Sequence, residues 1–214
     1  MLVNCAVTIA TGEKLVDMPV EAIQKEIGTN VLGNFYTIKE FLPDMLRLER
    51  GHIVTVSSAL GFCGPARLSN SHHLKSFSGA DWGGGYATSK AALLSLHESI
   101  TAELGLSSPV KTTLVVAGQM YTPLFYGVHT PSTFLAPIVE PLDVARQIVS
   151  AVEERRAGEI YAPWYAGWMW GLRGIPVSLA WFVRWLGGVD GAMDRWGGPD
   201  RCAVDESTMM NGIH

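Results

Sequence analysis

The chain is poor in charge and nearly free of cysteine. Only 17% of its 214 residues are charged, with a formal net charge of −4. Nucleic-acid proteins ordinarily carry a basic excess, so this balance argues against that class. The three cysteines, Cys5, Cys63 and Cys202, are odd in number, far apart and without a CxxC pair. A disulfide framework and most zinc sites are thereby excluded, and a reducing compartment is expected. No basic segment followed by an apolar run opens the chain, so no signal peptide is expected. No clean apolar stretch reaches the ~18 residues of a spanning helix. Repeats and low-complexity tracts are absent as well. With 48% hydrophobic residues, disorder is disfavoured, and this length is enough for a proper core in one domain, or one domain and a small appendage.

What is present alternates between two periodicities. Leu2–Val7 and His52–Ser58 read as short buried strands, and Val110–Ala117 and Glu159–Ala162 as two more. Between them lie helical patterns. One follows Asp17, Pro19 and Glu21 and runs towards Arg50, with the apolar positions Ile23, Ile27, Val31, Phe35, Ile38, Phe41 and Leu42 mostly three or four apart and Gly51 as its end. A second covers Tyr86–Leu104, with Gly105 as its C-terminal cap. A third starts at Pro141 and turns Val144, Ile148, Val149 and Val152 inward, with Gly158 as its stop. Strands alternating with helices predict an α/β chain with a mostly parallel sheet.

The sharpest local signal is Tyr86-Ala-Thr-Ser-Lys90 at a helix start. Residues four apart share a helical face. An ammonium beside a phenol favours the phenolate, which predicts a phenol pKa below its usual value of roughly 10. A phenol tuned in this way can give or take a proton at a carbonyl or alcohol oxygen. Alone the motif is weak, and an ordinary packed Tyr beside a surface Lys would show the same letters.

Its neighbours add weight. A strand ending Val56-Ser57-Ser58 precedes it, a strand ending Val116-Ala117-Gly118 follows with Thr122 shortly after, and Asn30-Val-Leu-Gly33 comes earlier. In this order the motifs resemble the short-chain dehydrogenase/reductase family as far as about Pro163. Leu2-Val3-Asn4-Cys5-Ala6-Val7 is similar to that family's LVNNAG strand, with Cys5 and Val7 as departures. Ala117 stands where the family has Pro.

The resemblance implies a Rossmann-like parallel sheet with flanking helices over residues 1–163. It also implies that the first strand–helix units of the fold are missing, which would leave the Leu2 strand at an edge. It implies hydride transfer with NAD or NADP, the choice between them not being readable. Tyr86 would be the acid/base, Lys90 would hold the nicotinamide ribose and lower the phenol pKa, Ser58 would polarise the substrate oxygen, and Asn30 would anchor a water relay behind Lys90. Asn4, Ala6 and Gly118 would shape the cofactor cleft, and Thr122 would reach the carboxamide. Ser57 is the less favoured neighbour of Ser58. The family's glycine-rich turn and its ribose-reading residue occur nowhere in the 214 residues, so weak dinucleotide binding by these residues is expected. The Ser58-to-Tyr86 spacing exceeds the family's, making residues 64–84 an insertion. His72 and His73 in it lack a third ligand at useful spacing, and no metal site is predicted.

Six of the seven tryptophans fall between Trp164 and Trp196. Residues 164–214 are therefore expected to form a hydrophobic helical tail, a substrate lid or a membrane-interface segment. Pro176 divides it, and Arg173 and Arg184 flank its aromatics. Together with Glu140-Pro-Leu-Asp-Val-Ala145, Glu159-Ile-Tyr-Ala-Pro163 and Met193-Asp194, the tail resembles the retinol and 17-beta-hydroxysteroid dehydrogenase branch. That implies a hydrophobic alcohol or carbonyl substrate and no nucleic acid. It also implies a cytoplasmic protein that meets the endoplasmic reticulum or lipid droplets peripherally, and a homodimer through the helices near Glu21–Met45 and Tyr86–Leu104. The alternative is a truncated, non-catalytic paralogue or mis-started gene product that binds a lipid or partner.

Overall fold

The computed structural model describes residues 1–9, 18–62, 84–125, 137–176, 178–180 and 182. Four strands form one sheet in the order β1 (Leu2–Asn4), β2 (Gly51–Ser58), β3 (Val110–Ala117), β4 (Gly158–Ala162), every neighbour parallel. The register runs Leu2 to Ile53, Gly51 to Val110 and Thr113 to Gly158. Parallel pairing requires a crossover between successive strands. Helices supply it: α1 (Val20–Ile27) and α2 (Gly33–Arg47) before β2, α3 (Gly84–Leu104) before β3, and α4 (Pro141–Glu153) before β4.

The period of two along the strands sorts the core into layers. Ile53 and Val110 pack with Ile38, Met45 and Ile100 of α2 and α3. Val54, Val56 and Val115 pack on the opposite face with Val144 and Ala151 of α4. Each such aliphatic side chain stabilises the fold by roughly 1.5–3 kcal/mol when buried. β2 is buried from His52 to Ser58, as its unbroken β-branched run requires in a sheet covered on both faces.

The α/β class and the parallel sheet agree with the expectation, and several details differ. β1 stops at Asn4, and β1 is an edge strand among the described residues. The first long helix starts at Val20 with Pro19 as its cap and ends at Arg47. Gly51 opens β2 rather than closing that helix; the turn is made by Glu49 at φ 47°. A π-helical turn, Gly28–Leu32, separates α1 from α2. Phe35 and Phe41 lie on the outer face of α2, and Val149 on that of α4; the π-turn inserts an extra residue and rotates the stripe that simple 3.6-residue spacing predicts. Gly105 does end α3, at φ +73°, a conformation that costs other residues energy. Trp164–Arg173 forms a 3-10 helix. Asp17, Cys63, Cys202, His72, His73, the 64–84 insertion apart from the start of α3, and the tail from residue 183 onward lie outside the described residues.

Candidate active site

In a parallel sheet the C-terminal strand ends lie along one edge, where α/β folds place their chemistry. Three elements meet there. β2 delivers Ser57 and Ser58, the first turns of α3 deliver Tyr86, Ser89 and Lys90, and the π-turn delivers Asn30. All six side chains are buried.

The β2–α3 seam is stitched by hydrogen bonds. Ser57 Oγ donates to the Lys90 carbonyl at 2.8 Å, and Lys90 Nζ donates to the Val56 carbonyl at 2.9 Å. Ser57 is thus a strut between strand and helix, while Ser58 is the serine that hydrogen-bonds the Tyr86 phenol. Ser58 Oγ also accepts the Leu60 N–H at 3.2 Å, capping the short 3-10 turn Ala59–Gly61. Lys90 Nζ lies 5.6 Å from the Tyr86 ring centroid.

Burial governs the protonation of both groups. It pushes the Lys90 ammonium down to about 8, while the nearby charge of Cys5 works to raise it. It pushes the Tyr86 phenol up, the Ser58 hydrogen bond lowers it, and the charge of Glu26 raises it further. The expected lowering of the phenol pKa is therefore corrected: desolvation of a tyrosine only 5% exposed is the largest effect on it, and the direction is upward.

Asn30 is fully buried in the π-turn. Its Oδ1 accepts the Thr8 N–H at 2.8 Å, and its Nδ2 donates to the Thr8 carbonyl at 2.9 Å and to Ser89 Oγ at 3.0 Å. Asn30 thus ties the segment after β1 to the residue beside Lys90. Ser89 Oγ in turn donates to the Tyr86 carbonyl at 2.7 Å. Asn4 Oδ1 accepts from Thr37 Oγ1 at 2.8 Å, which pins β1 to α2. Cys5 and Ala6, the next two residues, are exposed. Gly118 sits at the end of β3, where a Cβ would come 2.5 Å from the Tyr165 hydroxyl and 2.7 Å from Pro163 Cδ. Its missing side chain makes room for the chain's own β4–tail junction. Thr122 lies in a turn where its N–H donates to the Met120 carbonyl at 2.9 Å.

The short-chain dehydrogenase family model matches residues 1–70. Short-chain dehydrogenase/reductase 3 of Homo sapiens is 35% identical over 164 residues, 77% of this chain and 49% of that protein. The chain belongs to the short-chain dehydrogenase/reductase family. Within it the chain resembles the retinol dehydrogenase branch: epidermal retinol dehydrogenase 2 of Homo sapiens is 29% identical over 197 residues, 91% of this chain and 58% of the relative. A short-chain dehydrogenase from Sphingobium yanoikuyae, solved with NADPH, superposes with a TM-score of 0.59 at 20% identity, covering 81% of this chain and 61% of that one. The chain spans about half the length of the curated relatives it matches.

For this member of the short-chain dehydrogenase/reductase family, sequence reasoning missed Glu26, Ser89 and Tyr165. Ser89 stood inside the YATSK motif and could have been found there. Tyr165 was hidden among tail aromatics. Glu26 gave no signal, because a glutamate in a short amphipathic helix reads as a solvated position.

Proposed function

We propose that the chain carries the proton-transfer centre of an NAD(P)-dependent oxidoreductase that interconverts a hydrophobic alcohol, of retinoid, steroid or long-chain lipid type, and its ketone or aldehyde. The observation that carries this reading is the Ser58–Tyr86 hydrogen bond at the C-terminal sheet edge, with Lys90 one helical turn on. Tyr86 would give or take the proton at the substrate oxygen, and Ser58 would hold that oxygen.

The donor set suits the nicotinamide-ribose end of the cofactor. An ammonium has three N–H bonds, and Val56 takes one of Lys90's, leaving donors for ribose hydroxyls. Cys5 and Ala6 offer an exposed shelf at the end of β1, and Asn4, Gly118 and Thr122 would shape the rest of that cleft. When bound, the nicotinamide supplies the hydride. The chain's residues orient the oxygen and place its proton.

The tail helix supports a lipophilic substrate. Ala166 and Met169 pack against Leu94, Leu114 and Val116. Arg173 donates to the Gly61 and Phe62 carbonyls, on the turn that follows Ser58. Trp164, Trp168 and Trp170 point outward at 65%, 75% and 61% exposure. The described start of the 164–214 tail, Trp164–Arg173, would then form part of a lid seated beside the site, whose outer aromatics contact a lipid surface of the endoplasmic reticulum or a droplet. Arg173 is engaged inward, so the tryptophans rather than this arginine would make that contact. No helix among the described residues is long and apolar enough to cross a membrane. Vesicle flotation checks the contact, and replacing Trp168 and Trp170 by serine should weaken it. The outer face of α2, with Phe35, Tyr36, Phe41 and Leu46 exposed and Leu32 of the π-turn beside it, supports a homodimer, and sedimentation of a Phe35→Glu variant should show monomer.

The deciding experiment is Tyr86→Phe in an active preparation. Turnover of a hydrophobic alcohol or ketone should fall roughly 100- to 10,000-fold. Undiminished turnover overturns the assignment. Lipid binding without turnover in the parent chain favours the non-catalytic alternative.

A further inference from the structure

Helix α1 buries a single residue, and that residue is a glutamate. Glu26 is 1% exposed, and its Oε1 has no hydrogen-bond partner. The carboxyl lies on the backbone of Gly85, the second residue of α3: a Cβ at Gly85 would overlap Oε2 and come within 3.1 Å of Cδ. The first N–H groups of a helix lack intrahelical acceptors and carry its positive end. Glu26 therefore rests against the one turn of α3 that also carries Tyr86. No other residue type than glycine at 85 would leave this space.

We propose that Glu26 is a positioning residue which seats the first turn of α3 and, when ionised, keeps the proton on the Tyr86 phenol, favouring proton donation to a carbonyl oxygen over proton removal from an alcohol. The proposal rests on the reading of Tyr86 as the acid/base. Electrostatics agree with the geometry: burial pushes Glu26 up to about 7, and its charge raises the Tyr86 phenol. A carboxyl with a pKa of about 7 thus lies against Gly85, the residue before Tyr86. Among the described residues, the titratable and charged groups on the elements packed against it are few. α3 brings Tyr86 and Lys90, with His97, Glu98 and Glu103 further along. The π-turn brings none, and α1 itself adds Glu21 and Lys25. Cys5, on the segment after β1, acts on Lys90.

The test is a pH titration by NMR with carbon-13-labelled glutamate carboxyls, the Glu26 signal being the one lost in Glu26→Gln. The Glu26 carboxyl should titrate near 7, and the Gly85 and Tyr86 amides should move with the same midpoint and stay flat in the variant. In turnover, Glu26→Gln should shift the alkaline limb of carbonyl reduction to lower pH by about one unit and raise alcohol oxidation at neutral pH. A Glu26 midpoint in the ordinary range of about 4 to 5, amides that ignore it, or an unmoved alkaline limb each overturn the proposal. The NMR arm needs neither cofactor nor turnover. An ordinary Glu26 titration with a dead Tyr86→Phe enzyme sinks this inference alone, whereas a fully active Tyr86→Phe enzyme sinks the reading beneath it.

Discussion

Lys90 and Glu26 are both charged by type, both buried, and both beside Tyr86, yet the fold treats them differently. Lys90 reaches across to β2 and donates to the Val56 carbonyl, while its own carbonyl accepts from Ser57. Glu26 reaches from α1 to α3 with one oxygen buried and unpartnered. A hydrogen bond offsets part of the cost of burying a charge, and an orphaned carboxylate oxygen carries the cost in full until it is protonated. The β2–α3 seam is therefore held together as fold and site at once. The α1–α3 contact is a site feature that the fold tolerates at a loss.

Removing each charge separates the two. Lys90→Met keeps the aliphatic stem and deletes the ammonium. Oxidoreductase turnover should drop roughly 100-fold or more, if Lys90 supports the acid/base group as proposed. Steady-state kinetics check this, and a smaller loss than in Tyr86→Phe is consistent with a supporting role. Glu26→Gln should act on stability as well as on the pH profile of turnover. The folded-state pKa of Glu26 is raised to about 7 from 4.5. Between those values the unfolded chain ionises while the folded one holds its proton, so stability falls as pH rises through that window. The neutral glutamine has no such loss. At pH 8 the variant should be more stable by about 3 kcal/mol, the two forms converging below pH ~4.5. Urea denaturation at several pH values measures it, and a variant less stable than the parent at pH 8 would show that the ionised carboxylate is a net attraction at the helix end.

How the two residues were encountered in the sequence follows the same division. Lys90 was legible because the motif spacing places it on the face of Tyr86, and the β-branched runs placed β2 and β3 to within a residue. These features are local in sequence. Glu26 becomes visible only when α1 is laid on α3, nearly sixty positions away, and nothing local marks a buried acid. The π-turn had the same fate: the extra residue within Gly28–Leu32 shows only in backbone hydrogen bonding, and Phe35 beyond it faces outward against expectation. The direction of the Tyr86 phenol pKa was missed for a related reason. Spacing reports a nearby ammonium, whereas desolvation depends on everything packed around the ring.

The smallest effect belongs to the residue that links the two regions most quietly. Ser57 Oγ donates to the Lys90 carbonyl inside the seam, and its neighbour Ser58 faces the phenol. Ser57→Ala removes one neutral hydrogen bond to a helix carbonyl, and a net contribution of about 1 kcal/mol is expected from such a bond. Its loss should lower stability by that amount and leave the pH dependence of turnover in place, because no titrating group loses a partner. Ser58→Ala should depress turnover, since its hydroxyl meets Tyr86, and should also lower stability by about 1 kcal/mol, since the same oxygen caps the Ala59–Gly61 turn. Thermal denaturation and pH–rate profiles of the pair read both effects. A Ser57→Ala variant that loses turnover while Ser58→Ala keeps it would exchange the roles of the two serines, and would move the substrate oxygen from the phenol side of β2 to the face that packs on α3.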